Sequence, residues 1–161
     1  MNNVFVNKVL ISSLVVFINN ILVHLFMMEE ELIAPCGMNC GICKYHYRRK
    51  ETCPSCRGPD DNKSRSCIEC IIVNCEEIKK NKSGFCYECS KIPCRRLKNL
   101  DKRYSSKYHM SMLENLDFIK KHGIEKFLER EEKKWKCPKC GGIVTCHGGM
   151  CLDCGFVKFK N

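Results

Sequence analysis

Between Cys67 and Lys98 one cysteine pattern is written twice at a period of nineteen residues. The first copy reads Cys67, Glu69, Cys70, then Cys75 ahead of Ile78-Lys79; the second reads Cys86, Glu88, Cys89, then Cys94 ahead of Leu97-Lys98. Cysteines two residues apart sit on a tight turn that faces both sulfurs toward one metal ion. A third cysteine just before a short aliphatic-Lys stretch can join from the first turn of a helix. A chain carrying this repeat is built to hold metal, and each copy supplies only three of the four ligands that a tetrahedral site needs.

The other cysteines follow the same rule. Sixteen occur in 161 residues, and twelve form C-x2-C pairs: Cys40/Cys43, Cys53/Cys56, Cys67/Cys70, Cys86/Cys89, Cys137/Cys140 and Cys151/Cys154. That spacing is too close for most structural disulfides and suits tetrahedral thiolates, so metal is expected in place of a disulfide framework, and with it a reducing, cytoplasmic compartment. The formal charge of +10 points at first to an acidic partner such as nucleic acid. A divalent ion on four thiolates carries a net −2, however, and four such sites would bring +10 down to +2. Much of the basic excess comes from counting thiols as neutral.

Residues 4–27 are strongly apolar but broken by Asn7, Lys8, Ser12, Ser13, Asn19, Asn20 and His24. Adjacent Asn residues near the centre weaken a spanning helix. Residues 1–28 are read as an extension upstream of a start at Met27 or Met28, or alternatively as a weak signal anchor, in which case alone a membrane would be a partner.

Cys36, Cys40 and Cys43 form a C-x3-C-x2-C run, the spacing of the radical-SAM [4Fe–4S] site. The resemblance ends there, because Ile42 stands where those enzymes place an aromatic residue and the chain is too short for their barrel. Cys40, Cys43, Cys53 and Cys56 close one four-sulfur site on spacing alone. Tyr45 to Lys50 interleave aromatic and basic residues that could stack on a nucleic-acid strand, against the plainer reading of a solvated helical face.

The order Cys36-Gly37, Cys40, Cys43, then Cys53/Cys56, Cys67/Cys70/Cys75 and Cys86/Cys89 with Pro93-Cys94 resembles the cysteine-rich domain-of-unknown-function family 3795, over about residues 33–100. The resemblance implies zinc binding and carries no activity with it.

Past Lys98 a helical brace is expected over residues 101–135. Ser111 and Glu114 read as a capping box, Leu113, Leu116 and Ile119 share a face, and Gly123 stops the helix; a second helix follows with Ile124, Phe127 and Leu128 inward and Glu129 to Lys134 as a solvated end. Residues 136–161 read as a zinc ribbon: Cys137, Cys140, Cys151 and Cys154, each pair followed by Gly141 or Gly155, with 156–159 as a closing strand. Cys146 is left over beside His147. That histidine is expected to point elsewhere on the hairpin, so no catalytic residue is assigned.

Residues 29–100 hold eleven cysteines, and His46 would make a twelfth ligand. Three to four zinc sites are expected from Cys36, Cys40, Cys43, His46, Cys53, Cys56, Cys67, Cys70, Cys75, Cys86, Cys89, Cys94 and the ribbon quartet, with the grouping between Cys67 and Cys94 open. The expected fold is a small, metal-stabilised, loop-rich α+β chain of knuckles and short helices, a helical brace and a C-terminal β-ribbon. The expected function is a non-enzymatic zinc module presenting a surface to a protein partner or, secondarily, nucleic acid, with no small-molecule substrate. An iron–sulfur or redox protein is the alternative.

Overall fold

In the structure, a computed structural model that describes residues 28–159, the third cysteine of each repeat stands at the start of a helix. Cys75 is the N-cap of a short helix, and Cys94 that of a helix that runs to Tyr108, far beyond the short stretch the repeat indicates. The α-helices among the described residues are α1 (Arg65–Ile68), α2 (Glu76–Lys80), α3 (Arg95–Tyr108), α4 (Met112–His122) and α5 (Ile124–Trp135); 3-10 turns occupy Glu30–Leu32, Cys40–Ile42 and Cys86–Glu88. No described helix is long and apolar enough to cross a membrane, and residues 4–27 lie outside the described residues.

The brace follows its local signals, although the capping box forms only in half, with no bond from the Glu114 side chain back to Ser111. Ser111 Oγ accepts from the Glu114 N–H at 3.1 Å, and the same hydroxyl donates to Asp101 Oδ1 at 2.7 Å, which joins the start of α4 to α3. Gly123 ends α4 at φ +86°, its N–H bonded to the Ile119 carbonyl, and α5 begins at once. Leu116 and Ile119 are buried as their spacing requires.

On α5 the inward face runs further than the aliphatic pattern indicates. Phe127, Glu131 and Trp135, four residues apart, are each 0% exposed, so the segment expected to be a solvated charged end buries a carboxylate. The reason lies in the partners. Glu131 Oε2 accepts from Trp135 Nε1 at 2.9 Å and from Asn39 Nδ2 at 3.3 Å, and buried polar groups are tolerated when so satisfied. The Arg130 guanidinium lies over the rings of Phe118 and Phe127 at 4.2 and 4.9 Å.

The core gathers residues from the N-terminal loops, the three longer helices and the C-terminal segment, among them Ile33, Ile42, Leu97 of α3, Met112 and Leu116 of α4, Trp135 of α5 and Val144 beyond it, while α1 and α2 bury none. Backbone bonds tie the loops together: Cys86 N–H to the Pro35 carbonyl at 2.8 Å, and Cys146 N–H to the Ile42 carbonyl at 2.9 Å.

The C-terminal segment is where the expected β content falls short. Among the described residues this segment forms isolated antiparallel bridges, Lys136 with Ile143, Val144 with Cys151 and Met150 with Val157, and no continuous strand. The closing strand expected at 156–159 reduces to the bridge at Val157. Each hairpin arm gives its first residues to a knuckle turn, where Gly141 and Gly155 N–H groups fold back onto the Cys137 and Cys151 carbonyls at 2.9 and 3.0 Å. Backbone groups used in these turns are withdrawn from a ladder. The supported architecture is a small, cysteine-rich, helical chain with little sheet.

Candidate metal centres

The clearest site lies between the two C-terminal knuckles. Positive φ at Gly141 (+80°) and Gly155 (+71°) lets the chain turn under each cysteine pair, a conformation costly for any residue with a Cβ. The turns face one another, with Cys137 Sγ 3.6 Å from Cys154 Sγ and Cys140 Sγ 3.6 Å from Cys151 Sγ. All four sulfurs lie within 4.8 Å of one another. A tetrahedral ion with metal–sulfur bonds of about 2.3 Å needs sulfur–sulfur edges of about 3.8 Å, so the quartet can hold a metal ion with almost no movement.

No family model, curated protein or solved structure matches the chain.

The thiols of this quartet already share their protons unequally. Burial raises the Cys137 thiol, but the backbone amides of Cys140 and Lys139 and the thiols of Cys154 and Cys140 outweigh it and bring it down to about 7. The Gly142 amide lowers Cys140, but the surrounding sulfurs and burial push it up to about 12. One thiolate is thus held by its neighbours' hydrogen bonds while a second deprotonation meets that charge, the repulsion a divalent cation removes.

The N-terminal cysteines do not converge as tightly. Among the described residues only the C-terminal quartet brings all its ligand atoms within 4.8 Å. The N-terminal ligands instead line two cavities. Cys40, Cys43, His46, Cys53, Cys56 and Cys67 line one of about 80 Å³, together with Tyr104 of α3. The four cysteines grouped by spacing are therefore together, joined by His46 and by Cys67 from the first repeat. His46 Nδ1 lies 2.9 Å from the Cys53 carbonyl, which can only accept, so Nδ1 carries a proton and Nε2 is the nitrogen available to a metal ion.

Burial raises the Cys43 thiol, and so do Cys53 and Cys67 beside it. Cys56 is pushed well above the ordinary thiol range by its hydrogen bond with Cys40, by burial and by the charge Cys40 would carry. Cys36 lines neither cavity and is held protonated by burial, with Cys56, Cys86 and Cys70 nearby.

The second cavity, about 40 Å³, is lined by Cys75, Cys86, Cys89 and Cys94. The cysteines of the first repeat are thus divided: Cys67 faces the first cavity, Cys75 the second, and Cys70 an open groove beside α3. Spacing alone does not carry this division, because which cavity each sulfur meets depends on how separate turns pack against one another.

Cys146 departs from expectation. Its Sγ lies 3.3 Å from His147 Nδ1, so the adjacent histidine does turn toward it. The pair is nevertheless unsuited to nucleophilic attack. Burial, and then Cys43, pushes the Cys146 thiol up to about 12, and burial followed by Lys44 lowers His147, so both stay neutral at pH 7. The side chain is 1% exposed.

Tyr45 and Tyr47 are 40% and 42% exposed and lie on turns, with no helix between residues 44 and 50. Arg48 covers the Tyr45 ring at 4.8 Å, and the Tyr47 hydroxyl donates to the Gly41 carbonyl at 2.8 Å, so both rings are engaged within the chain.

Proposed function

We propose that the protein is a zinc-scaffolded, non-enzymatic interaction module of a reducing compartment. The observation that carries the reading is the convergence of Cys137, Cys140, Cys151 and Cys154, four thiols with their ligand atoms within 4.8 Å of one another. Four thiolates close a tetrahedral zinc site and leave no open position for a substrate. The direct test is metal analysis of the full chain purified anaerobically. A colourless protein with zinc and no acid-labile sulfide, losing its fold on chelation, is expected. A brown protein containing iron and acid-labile sulfide would move the reading to iron–sulfur chemistry.

The surface offered to a partner is the groove of about 600 Å³ between α1 and the first turns of α3, which combines Arg95, Arg96 and Arg103 with the aliphatic Ile71 and Leu100. Ile71 is 57% exposed. Guanidinium groups around an exposed aliphatic patch suit an acidic protein segment carrying an apolar residue. The described lining has no aromatic ring on which a base could stack, which favours protein over nucleic acid. A Glu/Leu-rich peptide should bind with an affinity that falls with salt and is lost in Arg96→Glu/Arg103→Glu. Preferential binding of a single-stranded oligonucleotide would transfer the groove to nucleic acid.

A further inference from the structure

The geometry points to a second metal centre that joins the two copies of the repeat, with Cys75, Cys86, Cys89 and Cys94 as the four ligands of one divalent ion of the zinc type. It rests on the reading of the chain as a metal-scaffolded module and assigns a ligand set that neither repeat contains by itself.

The four cysteines line one cavity of about 40 Å³ whose other walls include Ile72, Ile78, Ile92 and Leu97. Cys86 is buried and Cys75, Cys89 and Cys94 are half-buried around this space, and a tetrahedral ion would draw the four sulfurs closer together than they stand without it. The sequence around them has knuckle geometry. Cys89 N–H bonds to the Cys86 carbonyl at 3.1 Å, and the Lys91 N–H donates to Cys89 Sγ at 3.4 Å, placing a backbone donor on a sulfur as a thiolate ligand requires. Of the rest of the first repeat, Cys67 lines the cavity of Cys40 and Cys43, and Cys70 lines the groove and stands near Cys86 without lining the second cavity. Cys75 is the sulfur of that repeat that completes the second set.

Charge supports the same assignment. On binding, the four thiols release their protons to solvent and the ion accepts one lone pair from each sulfur, which leaves the centre at −2. Cys94 is the N-cap of α3, whose first turn has no acidic residue and begins Arg95-Arg96. Basic residues at a helix N-terminus are ordinarily unfavourable, because that end is already positive. A centre of charge −2 at the cap reverses the sign of the interaction. Across the site Lys91 Nζ and Glu77 Oε1 form an ion pair at 3.2 Å, which links the segments carrying Cys75 and Cys89.

The experiment uses the full zinc-loaded chain. Zinc is withdrawn stepwise with a chelator, released thiols are alkylated at each step, and each cysteine is quantified by mass spectrometry. Cys75 should become reactive in step with Cys86, Cys89 and Cys94. Release of Cys75 together with Cys67 and Cys70 overturns the assignment. If these four label from the outset while the C-terminal quartet stays protected, the assignment fails and the metal-scaffold reading stands; if no cysteine is protected, both fail. Cys75→Ser should lower zinc by one ion per chain, whereas Cys146→Ser should leave it unchanged; equal zinc in Cys75→Ser and the parent chain also overturns the assignment.

Discussion

Asn39 and Glu131, 92 residues apart in the chain, meet in the interior, where Asn39 Nδ2 donates to Glu131 Oε2 at 3.3 Å. Both side chains are 0% exposed. The other end of the Asn39 amide accepts the Gly41 N–H at 2.9 Å, which caps the 3-10 turn that carries Cys40 and leads into Cys43. Trp135 Nε1 donates to the same carboxylate oxygen at 2.9 Å, and Asn115 Nδ2 donates to the Gly37 carbonyl at 2.9 Å. The brace therefore sets the conformation of the cysteine loop through buried polar bonds, which are directional in a way that apolar packing is not.

Removing the shared acceptor should be costly. Glu131→Ala leaves Trp135 Nε1 without a partner and Asn39 Nδ2 with only the Met28 sulfur, 3.1 Å away, at a cost of about 1–3 kcal/mol for a buried donor left unpaired. Urea unfolding of the metal-loaded protein, followed through Trp135, the single tryptophan of the chain, measures the loss. Glu131→Gln retains an acceptor and should lose less; equal losses would show that the carboxylate's bonds do not matter.

Gly37 lies at φ +84°, and a Cβ there would stand 3.0 Å from the Met112 carbonyl oxygen and 3.1 Å from Leu116. Gly37→Ala should therefore destabilise by about 1–2 kcal/mol from backbone strain, before any displacement of α4. A thermal melt unchanged from that of the parent chain would contradict this placement of the loop.

Proton release should distinguish the C-terminal quartet. The Cys137 thiol is lowered to about 7, so in the metal-free protein it is mostly protonated at pH 6 and mostly ionised at pH 8. The sign follows directly: metal uptake at this site should release about one proton fewer at pH 8 than at pH 6. A weakly buffered titration of the parent chain compared with Cys137→Ser, in which the pH-dependent difference should disappear, assigns it to this site; pH-independent release would refute the lowered thiol.

Cys146 should resist alkylation in the folded protein. An ordinary thiol ionises near pH 9, whereas this one is raised to about 12, so it stays protonated and slow between pH 7 and 9. Burial at 1% exposure adds to the protection. Iodoacetamide labelling mapped by mass spectrometry should find Cys146 modified only on unfolding; rapid modification at neutral pH would reopen a catalytic reading of the Cys146–His147 pair.

Local signals were legible because their physics is local. A C-x2-C pair followed by Gly specifies its own turn, so the knuckles at Cys137 and Cys151 were readable residue by residue. The Ser111 cap and the Gly123 stop likewise depend on neighbours within a few positions. The β-ribbon was over-read: alternation in 156–159 indicates strand preference, but the knuckles consume the backbone groups a longer ladder would use. Glu131 was misplaced for the opposite reason, since its surroundings on α5 are charged and its partners, Asn39 and Trp135, are defined only when the loop and helix dock.

By itself the sequence determined that this chain would form cysteine knuckles, which cysteines would pair across two residues, and where the helices after Ser111 and Gly123 would begin. These follow from backbone geometry over three to five residues. The tertiary structure alone decided that Cys67 and Cys75, eight residues apart in one repeat, face different cavities, and that Cys75 joins the cysteines of the other copy. Spacing constrains how two sulfurs can share a turn, but the meeting of separate turns depends on long-range packing, here on α4 and α5 pressing through Asn115 and Glu131 against the Gly37–Asn39 loop.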